Sequence, residues 1–340
     1  MTALVVRSCG PMTSLQDNGR IGQGRYGLSR AGAMDRLALG AANALVGNEA
    51  ATAAIEFMLI GGSFVLREGS ARIALTGAAF SATLDGRALR PFTATVMEAG
   101  QVLTIGAAAT GIYGYLAIAG GFAVEPDLGS LSLQRRAGIG GFKGRALEGG
   151  DELPLRQDRG SGPDLRLDLP AQDTSTPMRV VLGPQVDEFP EDAVATFLAS
   201  TYTISAEADR MGYRLSGPIL NHSRGYNIVS DGLVAGSVQV PGAGMPIVMM
   251  ADHQTTGGYP KIATVISADW GRLAQRRPGE TVRFAAITVE EAGKLARERA
   301  ALIASLPSRV RPIRGGLPDV EALLAANLAG AVTDALAPEP

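Results

Sequence analysis

The apolar residues of this 340-residue chain fall into short runs between Gly, Asp or Pro. Most of these runs are roughly four to seven residues long, the length of a β-strand. The chain also contains 44 glycines, which suit the many turns that such runs require. Short strands between frequent turns are typical of an all-β barrel or sandwich, so the sequence predicts a mainly β fold. The predicted strands lie at residues 4–6, 55–59, 64–67, 72–75, 93–97, 103–105, 113–119, 179–182, 237–240, 247–250, 262–265 and 282–284.

Helices are the minority and are predicted from their end signals. The first begins at Asp35, a good N-cap, and ends at Gly47. The second begins at Thr288, which forms a capping box with Glu291, and continues to about residue 303. A third, rich in Ala and Leu, is predicted from residue 319 to about 336 in a helical C-terminal tail.

A polar stretch at residues 154–177 separates two β-rich parts of the chain. It is rich in Asp, Pro, Ser and Gly and has neither strand nor helix periodicity. We therefore predict a first β domain at residues 1–155, a linker at 156–177, a second β domain at 178–287 and C-terminal helices at 288–340.

The bulk composition excludes several classes of function. A net charge of −2 and the lack of a basic stripe argue against nucleic-acid binding. One cysteine excludes a disulfide framework, and with only two histidines we expect no metal site. No apolar run approaches the ~20 residues of a membrane span, and no signal peptide is evident, so we expect a cytoplasmic protein.

The turn between the predicted strands at 247–250 and 262–265 is dense in polar side chains. Gly257 and Gly258 supply backbone freedom there, and Pro260 fixes φ just before Lys261. Such a turn is also what an ordinary long hairpin connection looks like, so chemistry alone leaves both interpretations open. Lys261 favours a functional role, because the chain has only three lysines beside many arginines. The polar residues of the turn are Asp252, His253, Gln254, Thr255, Thr256, Tyr259 and Lys261.

A second polar cluster occupies residues 14–35, a loop interrupted by several glycines. Its glycines at 22–27 match a dinucleotide fingerprint formally, but no helix begins at the third glycine, so we reject nucleotide binding. Arg20 or Arg30 could hold a carboxylate or ureido oxygen with its forked donors. Alternatively, Asp17 and Arg20 simply tie the loop together. The charged and amide residues of the loop are Gln16, Asp17, Arg20, Arg25, Arg30 and Asp35.

Two further charged residues need an explanation. Arg210 follows Asp209 in a predicted turn and is a candidate for a site. Glu56 lies in the middle of an apolar strand, where a charge is costly unless it is paired. Glu56 is therefore either an outward-facing strand residue or a buried partner for one of the arginines.

A series of motifs resembles one known family. The most specific is Gln-Thr-Thr-Gly-Gly-Tyr-Pro-Lys at residues 254–261. Together they resemble the biotin-dependent carboxyltransferase family that includes the C subunit of 5-oxoprolinase, KipA and allophanate hydrolase subunit 2, over about residues 3–290. The motifs lie at residues 16–20, 29–35, 42–48, 54–56, 73–77, 115–121, 210–215, 237–241 and 254–261.

The resemblance implies a fold of two cyclophilin-like β-barrels and a subunit that acts with others. The implied partner is a protein like KipI or the B subunit of 5-oxoprolinase, with either a LamB/YcsF-like third subunit or a biotin carboxylase. The implied function is a part in ATP-dependent opening of 5-oxoproline to glutamate. The alternatives are a carboxyltransferase subunit of a urea carboxylase type and a KipA-like regulator that binds a kinase inhibitor. No Ala-Met-Lys-Met-type biotinylation site is present, so no cofactor is expected to be bound covalently, and carboxyl-biotin or ATP would come through partners.

Carried onto this chain, the resemblance implies a cleft that is shared with a partner subunit. An amide or lactam substrate would bind in this cleft. Lys261 and Arg20 would polarise the ureido or lactam oxygen, while Asp252 and Tyr259 would handle protons. The remaining substrate-binding residues would be Gln16, Asp17, Arg210, Gln239, Gln254, Thr255, Thr256, Gly257 and Gly258.

Three positions depart from the family pattern. Leu131 and Leu133 stand where members often have a charged and a hydroxyl residue, and His253 stands where Arg is usual. These departures bear on the substrate more than on the fold.

Overall fold

The computed structural model describes residues 2–156, 160–169 and 175–313. The fold is mainly β, as predicted, with few helices. The strands before the predicted linker and within it are β1 (Ala3–Cys9), β2 (Ser14–Gln16), β3 (Ala54–Met58), β4 (Ile60–Leu66), β5 (Ser70–Gly77), β6 (Phe80–Leu84), β7 (Arg87–Ala88), β8 (Thr93–Glu98), β9 (Val102–Ala108), β10 (Tyr113–Ile118), β11 (Glu152–Pro154) and β12 (Leu165–Leu167). Those that follow are β13 (Met178–Leu182), β14 (Tyr202–Ile204), β15 (Gly212–Ser216), β16 (Asp231–Gly232), β17 (Ser237–Gln239), β18 (Ile247–Met249), β19 (Thr256–Gly257), β20 (Lys261–Val265), β21 (Thr281–Val282), β22 (Phe284–Ala286) and β23 (Val310–Pro312).

The larger sheet has thirteen strands and holds every strand of the first half of the chain. Its main path runs β23-β12-β8-β5-β10-β3-β4-β9-β6-β7, with β1 joining β4 to β11 and β2 pairing with β3. The smaller sheet has eight strands in the order β21-β14-β15-β18-β17-β20-β13-β22. β16 and β19 form a separate two-stranded ribbon, which we call the ribbon from here on.

The two predicted helices that lie among the described residues begin at their predicted N-caps. In α1 (Arg36–Val46), the Asp35 side chain accepts from the backbone N–H groups of the first turn, and Gly47 ends the helix at a φ of 75°. In α4 (Val289–Ser305), Thr288 and Glu291 form the predicted capping box. Two shorter α-helices are α2 (Glu191–Ala199) and α3 (Trp270–Ala274), and 3₁₀ turns lie at Gly24–Tyr26, Val186–Glu188, Ser267–Asp269 and Leu306–Arg309.

Three predictions about the chain's organisation have different outcomes. The predicted linker contains β12, which pairs with β8 of the larger sheet, and β23 returns from the C-terminal part to pair with β12. The domain boundaries stay a prediction. The helix predicted at 319–336 lies outside the described residues. Strands such as β6 and β14 were not predicted, because their runs are short and interrupted by polar residues.

Two apolar clusters form the core, and α1 lies at the junction of the two sheets. One cluster lies within the larger sheet, where Phe57 and Phe64 meet edge to face at 5.8 Å between ring centroids. The other includes most of α1, which is buried on nearly all sides, and continues into the smaller sheet, where Phe197 stacks on Phe284. The two sheets are thus joined through a shared core, which fixes the polar loops that meet at their junction. Within the described residues, no helix combines the length and apolarity needed to cross a bilayer.

Candidate functional site

A cavity of about 650 Å³ lies where the loop before α1 faces the ribbon and the end of β18. Its volume is within the range of roughly 300–1,000 Å³ that small-molecule sites occupy. One wall is the polar loop that the sequence singled out, and the opposite wall comes from the second half of the chain. The lining residues are Arg20, Ile21, Gly22, Gly24, Arg25, Ser29, Arg30, Ala31, Ala33, Met34, Arg36, Gly232, Leu233, Val234, Ala235, Met249, Met250, Ala251, His253, Thr255, Thr256 and Trp270.

Four arginines and no carboxylate stand among these lining residues. Arg20 lies deepest, with 1 % of its surface exposed. Its Nε donates to the carbonyl of Asp127 at 3.1 Å and its Nη2 to that of Ser130 at 3.2 Å, while its Nη1 is buried without a protein partner. Burial lowers the pKa of Arg20, against the pull of more distant carboxylates, but an arginine stays charged at neutral pH. Arg20 thus lines the cavity and carries a buried donor that no acceptor among the described residues satisfies.

The other three arginines are also free of ion pairs with the carboxylates that the structure describes. Arg36 lies over the Trp270 ring, 5.4 Å from its centroid. Burial, together with repulsion from Arg30, lowers the pKa of Arg36 to about 10. Arg30 donates only to the Asn18 carbonyl, and Arg25 lies over the exposed Tyr26 ring. The cavity therefore concentrates positive charge in a chain that is slightly acidic overall.

Asp17 binds a neighbouring loop, which agrees with the structural role that the sequence analysis gave as the alternative to substrate binding. Its Oδ1 accepts from the Ser130 hydroxyl at 2.6 Å and from the Ser132 hydroxyl at 2.5 Å, and its Oδ2 accepts from the Leu131 N–H. This clamp fixes the loop whose carbonyls hold Arg20. Asp17 thus shapes the cavity without lining it.

Gly140 and Gln16 complete the surroundings of Arg20. A Cβ on Gly140 would lie 2.1 Å from Arg20 Nη2, so only glycine leaves room for the guanidinium. Gln16 is buried and its amide donates to Ser14 and to the Leu133 carbonyl, which leaves its Oε1 without a protein donor. Gln16 lies beside this loop and is not among the lining residues.

Lys261 holds the ribbon that forms part of the cavity wall. Its side chain is only 2 % exposed, and Nζ donates to Asp231 Oδ2 at 2.6 Å and to the Gly232 carbonyl at 3.2 Å. The hydrogen bond from Lys261 lowers the pKa of Asp231 to about 2. Gln185 also donates to Asp231, at 3.0 Å. The amine therefore binds the ribbon, and Lys261 itself is not among the residues that line the cavity.

Gln239, Gly257 and Tyr259 form a small group with Lys261. Gln239 pairs with Lys261 across β17 and β20, next to a bulge between Val238 and Gln239 that redirects the side chain. The Gln239 amide donates to the Tyr259 carbonyl at 3.3 Å and packs so closely on Gly257 that a Cβ there would lie 2.5 Å from it. The Tyr259 ring is 38 % exposed. None of these four residues is among those that line the cavity.

Arg210, Asp252 and Glu56 form a buried charged network between the two halves of the chain. Arg210 binds Asp252 with two parallel bonds of 2.8 Å, and its Nη1 donates to Glu56. Glu56 also accepts from the Met34 N–H at 2.9 Å and from the Tyr115 hydroxyl at 2.7 Å. Burial raises the pKa of Glu56, and Arg210 opposes that rise. Of the two alternatives for Glu56, the buried partner of an arginine is confirmed.

The structure brings only some of the predicted site residues to the cavity. Arg20, Arg30, His253, Thr255 and Thr256 line it, whereas ten other predicted residues do not. Both Asp252 oxygens are engaged by Arg210, an arrangement that favours a structural role, and its proton handling stays a prediction. The predicted residues away from the lining are Gln16, Asp17, Arg210, Gln239, Asp252, Gln254, Gly257, Gly258, Tyr259 and Lys261.

Sequence reasoning missed Arg36, Trp270 and Asp231. Arg36 carried a signal, since a charged residue directly after an N-cap lies at a helix end, close to the loop arginines. Asp231 carried none, because it precedes an irregular stretch and meets Lys261 from thirty residues away.

Of the three departures from the family pattern, two lie beside the Arg20 loop and one lies in the cavity wall. Leu131 and Leu133 are buried beside the Arg20 loop. His253 is buried in the cavity wall, its Nδ1 lies 2.6 Å from the Gln254 carbonyl, and burial lowers its pKa. An uncharged imidazole at this position leaves the cavity's charge to the arginines. No group of three or more His, Cys, Asp or Glu side chains within the described ranges is placed to hold a metal ion.

The chain belongs to the carboxyltransferase domain family, subdomains A and B, whose model matches residues 26–286. Among curated relatives, it is 40% identical to the C subunit of 5-oxoprolinase from Haemophilus influenzae over 291 residues, which are 84% of this chain and 91% of that one. It is 41% identical to the C subunit of 5-oxoprolinase from Escherichia coli, over 86% of this chain and 93% of the relative. Among solved structures, urea amidolyase of K. lactis matches with a TM-score of 0.82 at 28% identity, over 89% of this chain and 20% of that chain. The family expected from the motifs is confirmed.

Proposed function

We propose that this chain is the C subunit of a 5-oxoprolinase, acting with partner subunits in the ATP-dependent opening of 5-oxoproline to glutamate. The observation that carries the proposal is its identity of about 40% to two proteins of that name, over more than nine tenths of their length. One partner would be a KipI-like protein, the B subunit, and the other a LamB/YcsF-like protein, the A subunit.

The arginine cavity supports this function, because 5-oxoproline carries a carboxylate. A guanidinium matches a carboxylate with two parallel donors, and Arg20 presents a buried nitrogen that has no other acceptor. In the proposal, Arg20 polarises the lactam oxygen or holds the carboxylate, and Thr255 and Thr256 orient the ring. The apolar wall at Met34 and Met249 would pack against its methylene groups.

Lys261 would act by setting the position of the ribbon and, through it, the cavity wall. Tyr259, partly exposed beside it, is available to a partner subunit for proton transfer. Asp252 and Arg210 would hold the two halves of the chain in register. ATP would be bound with a partner subunit, and the guanidinium groups of the cavity fit a phosphate group as well as a carboxylate.

The test is reconstitution with a KipI-like protein and a LamB/YcsF-like protein from the same organism. We expect 5-oxoproline turnover that requires ATP and all three chains, and a loss of at least about tenfold in Arg20→Gln. Arg214→Gln is the matched control, since its side chain is exposed in a surface pair with Glu207. If the three chains associate and turn over no 5-oxoproline, the proposal is wrong.

A carboxyltransferase function is the second candidate, favoured by the description of the matching family model and by the fold shared with urea amidolyase. The same reconstitution distinguishes the two. Association with a biotin carboxylase and ATP-dependent consumption of urea would support carboxyl transfer instead of lactam opening.

A further inference from the structure

We infer that the arginine cavity is selective for small organic anions with two acidic groups, and that it binds a monocarboxylate weakly. The inference deepens the proposed function and rests on it for its biological meaning, because it names the charge class of the ligand for the same cavity. It stands physically on the placement of four guanidinium groups without a lining carboxylate.

The first step of the argument is that neither Arg20 nor Arg36 is fully paired by the described residues. Arg20 Nη1 is buried and has no hydrogen-bond partner among the described residues. Arg36 forms no ion pair with a described carboxylate and instead lies over the Trp270 ring. A buried unsatisfied donor is costly, and a charged one more so. A single carboxylate has two oxygens and satisfies one guanidinium fork, so it leaves the second group uncompensated.

The carboxylates nearest to Arg20 do not neutralise the cavity. Asp17, Asp127 and Asp252 act on Arg20 from beyond ion-pair distance. Asp17 binds the serines of the neighbouring loop, Asp127 accepts from the Gly140 N–H at 2.8 Å, and Asp252 binds Arg210. None of the three carboxylates lines the cavity, so a ligand there would meet the guanidinium groups and not these carboxylates.

The repulsion between the arginines also favours a ligand with two negative groups. Arg30 stands close enough to Arg36 to disfavour its charge, and burial lowers the pKa of both side chains. A ligand with two negative groups offsets this repulsion as well as supplying acceptors. The apolar part of the wall, which includes Leu233, Met250 and Trp270, suits a short carbon chain between the two groups.

This charge class has a direct relation to lactam opening. Hydrolysis of 5-oxoproline breaks the ring C–N bond, adds the oxygen of water to the carbonyl carbon, and leaves an ammonium group and a second carboxylate. The cavity would therefore bind the ring-opened dicarboxylate, or a phosphorylated carboxylate, better than the monocarboxylate lactam. An enzyme gains rate when its site favours the charge that develops during the reaction.

The experiment is calorimetric titration of the full chain, without partners, at low ionic strength. The probes are glutarate, 3-phosphonopropionate, 5-oxoproline and the neutral 2-pyrrolidone. We expect glutarate or 3-phosphonopropionate to bind about tenfold or more tightly than 5-oxoproline, with an affinity that falls as salt is added. The stronger of the two diacids identifies the ligand as a dicarboxylate or as a phosphorylated carboxylate.

Variants tie the selectivity to the cavity. Arg36→Gln should lose about tenfold in affinity for the diacid and little for 5-oxoproline, and Arg36→Lys should keep part of the preference because it keeps the charge. Arg214→Gln, far from the cavity lining, should bind as the natural chain does. A melting curve shows that each variant is folded.

Equal affinity for glutarate, 3-phosphonopropionate and 5-oxoproline would overturn the inference, and so would an unchanged preference in a folded Arg36→Gln protein. The result is independent of turnover. If diacids bind selectively and the reconstituted subunits turn over no 5-oxoproline, the proposed function fails and the inference stands. If the reconstituted subunits turn over 5-oxoproline and diacids show no preference, the proposed function stands and the inference fails.

Discussion

Replacing Arg210 by Met should destabilise the protein strongly, because it leaves two buried carboxylates without their counter-ion. The side chains of Arg210, Glu56 and Asp252 are only 4 %, 2 % and 8 % exposed. Removing one partner from a buried ion pair costs about 3–5 kcal/mol. For a large domain, 1 kcal/mol corresponds to about 2 °C in Tm, so we expect Tm to fall by roughly 6–10 °C. Differential scanning fluorimetry measures the fall.

The pH dependence of that fall tests its cause. Burial raises the pKa of Glu56 above its unfolded value, and Arg210 is the main group that opposes the rise. Without Arg210 the folded-state pKa rises further, so the folded variant takes up a proton more readily than the unfolded chain. Stability from a raised carboxyl pKa is present at low pH and is lost as pH rises through the folded pKa. The Tm deficit of Arg210→Met should therefore be larger at pH 8 than at pH 5.

A surface pair provides the control. Arg67 and Glu152 are 50% and 42% exposed, and such a pair contributes about 1 kcal/mol or less. Arg67→Met should therefore melt within about 2 °C of the natural chain. The reasoning is refuted if Arg210→Met melts equally close to the natural chain, or if its deficit is the same at both pH values.

Three further changes have defined outcomes. Lys261→Met should raise the pKa of Asp231 from about 2 towards the ordinary value of about 3.9, because the hydrogen bond from the amine is lost. NMR titration of the carboxyl group measures this pKa, and an unchanged value would contradict the Lys261–Asp231 contact. Gly140→Ala places a Cβ 2.1 Å from the Arg20 guanidinium at a φ of +73°, so it should lower Tm by several degrees, and an unchanged Tm would refute the close approach. Burial lowers the pKa of His253, so its contribution is present above the unfolded pKa of about 6.5 and is lost as pH falls below it. His253→Gln should therefore lose less Tm than the natural chain between pH 7 and pH 5, and an identical loss would exclude a buried neutral imidazole.

The parts of the fold that sequence predicted are those set by local chemistry. Asp35 and Gly47 mark the ends of α1 because a side-chain acceptor and a residue with positive φ act within one turn of the helix. Thr288 and Glu291 do the same for α4. The strands that were missed, such as β6, lack a long apolar run and are defined by pairing with distant strands. Such pairing depends on tertiary contacts that a short segment does not encode.

The candidate site was predicted only in part for a related reason. The sequence singled out the polar turn at 252–261, yet its residues do not meet at one place: Thr255 and Thr256 line the cavity, whereas the Lys261 amine binds Asp231. A high density of polar residues in the sequence therefore does not imply that their side chains form a single cluster. Only the family resemblance connected this turn with the loop that carries Arg20.

The Glu56 network shows how much a sequence can constrain a contact without locating it. The cost of a charge in an apolar strand required either exposure or a partner, which narrowed the choice to two structures. The arginine that pairs with Glu56 is Arg210, which lies 154 residues further along the chain. No local sequence pattern relates residues that far apart. The same network places Asp252, the predicted proton carrier, where both of its oxygens are occupied. A role in catalysis would require it to release Arg210, and that would leave Glu56 as the only buried carboxylate for the guanidinium among the residues described. The coupling of these groups therefore makes Asp252 a part of the junction between the two halves of the chain. It leaves Arg20, whose Nη1 has no acceptor among the described residues, and Arg36, which pairs with no described carboxylate, as the charged groups best placed to meet a substrate.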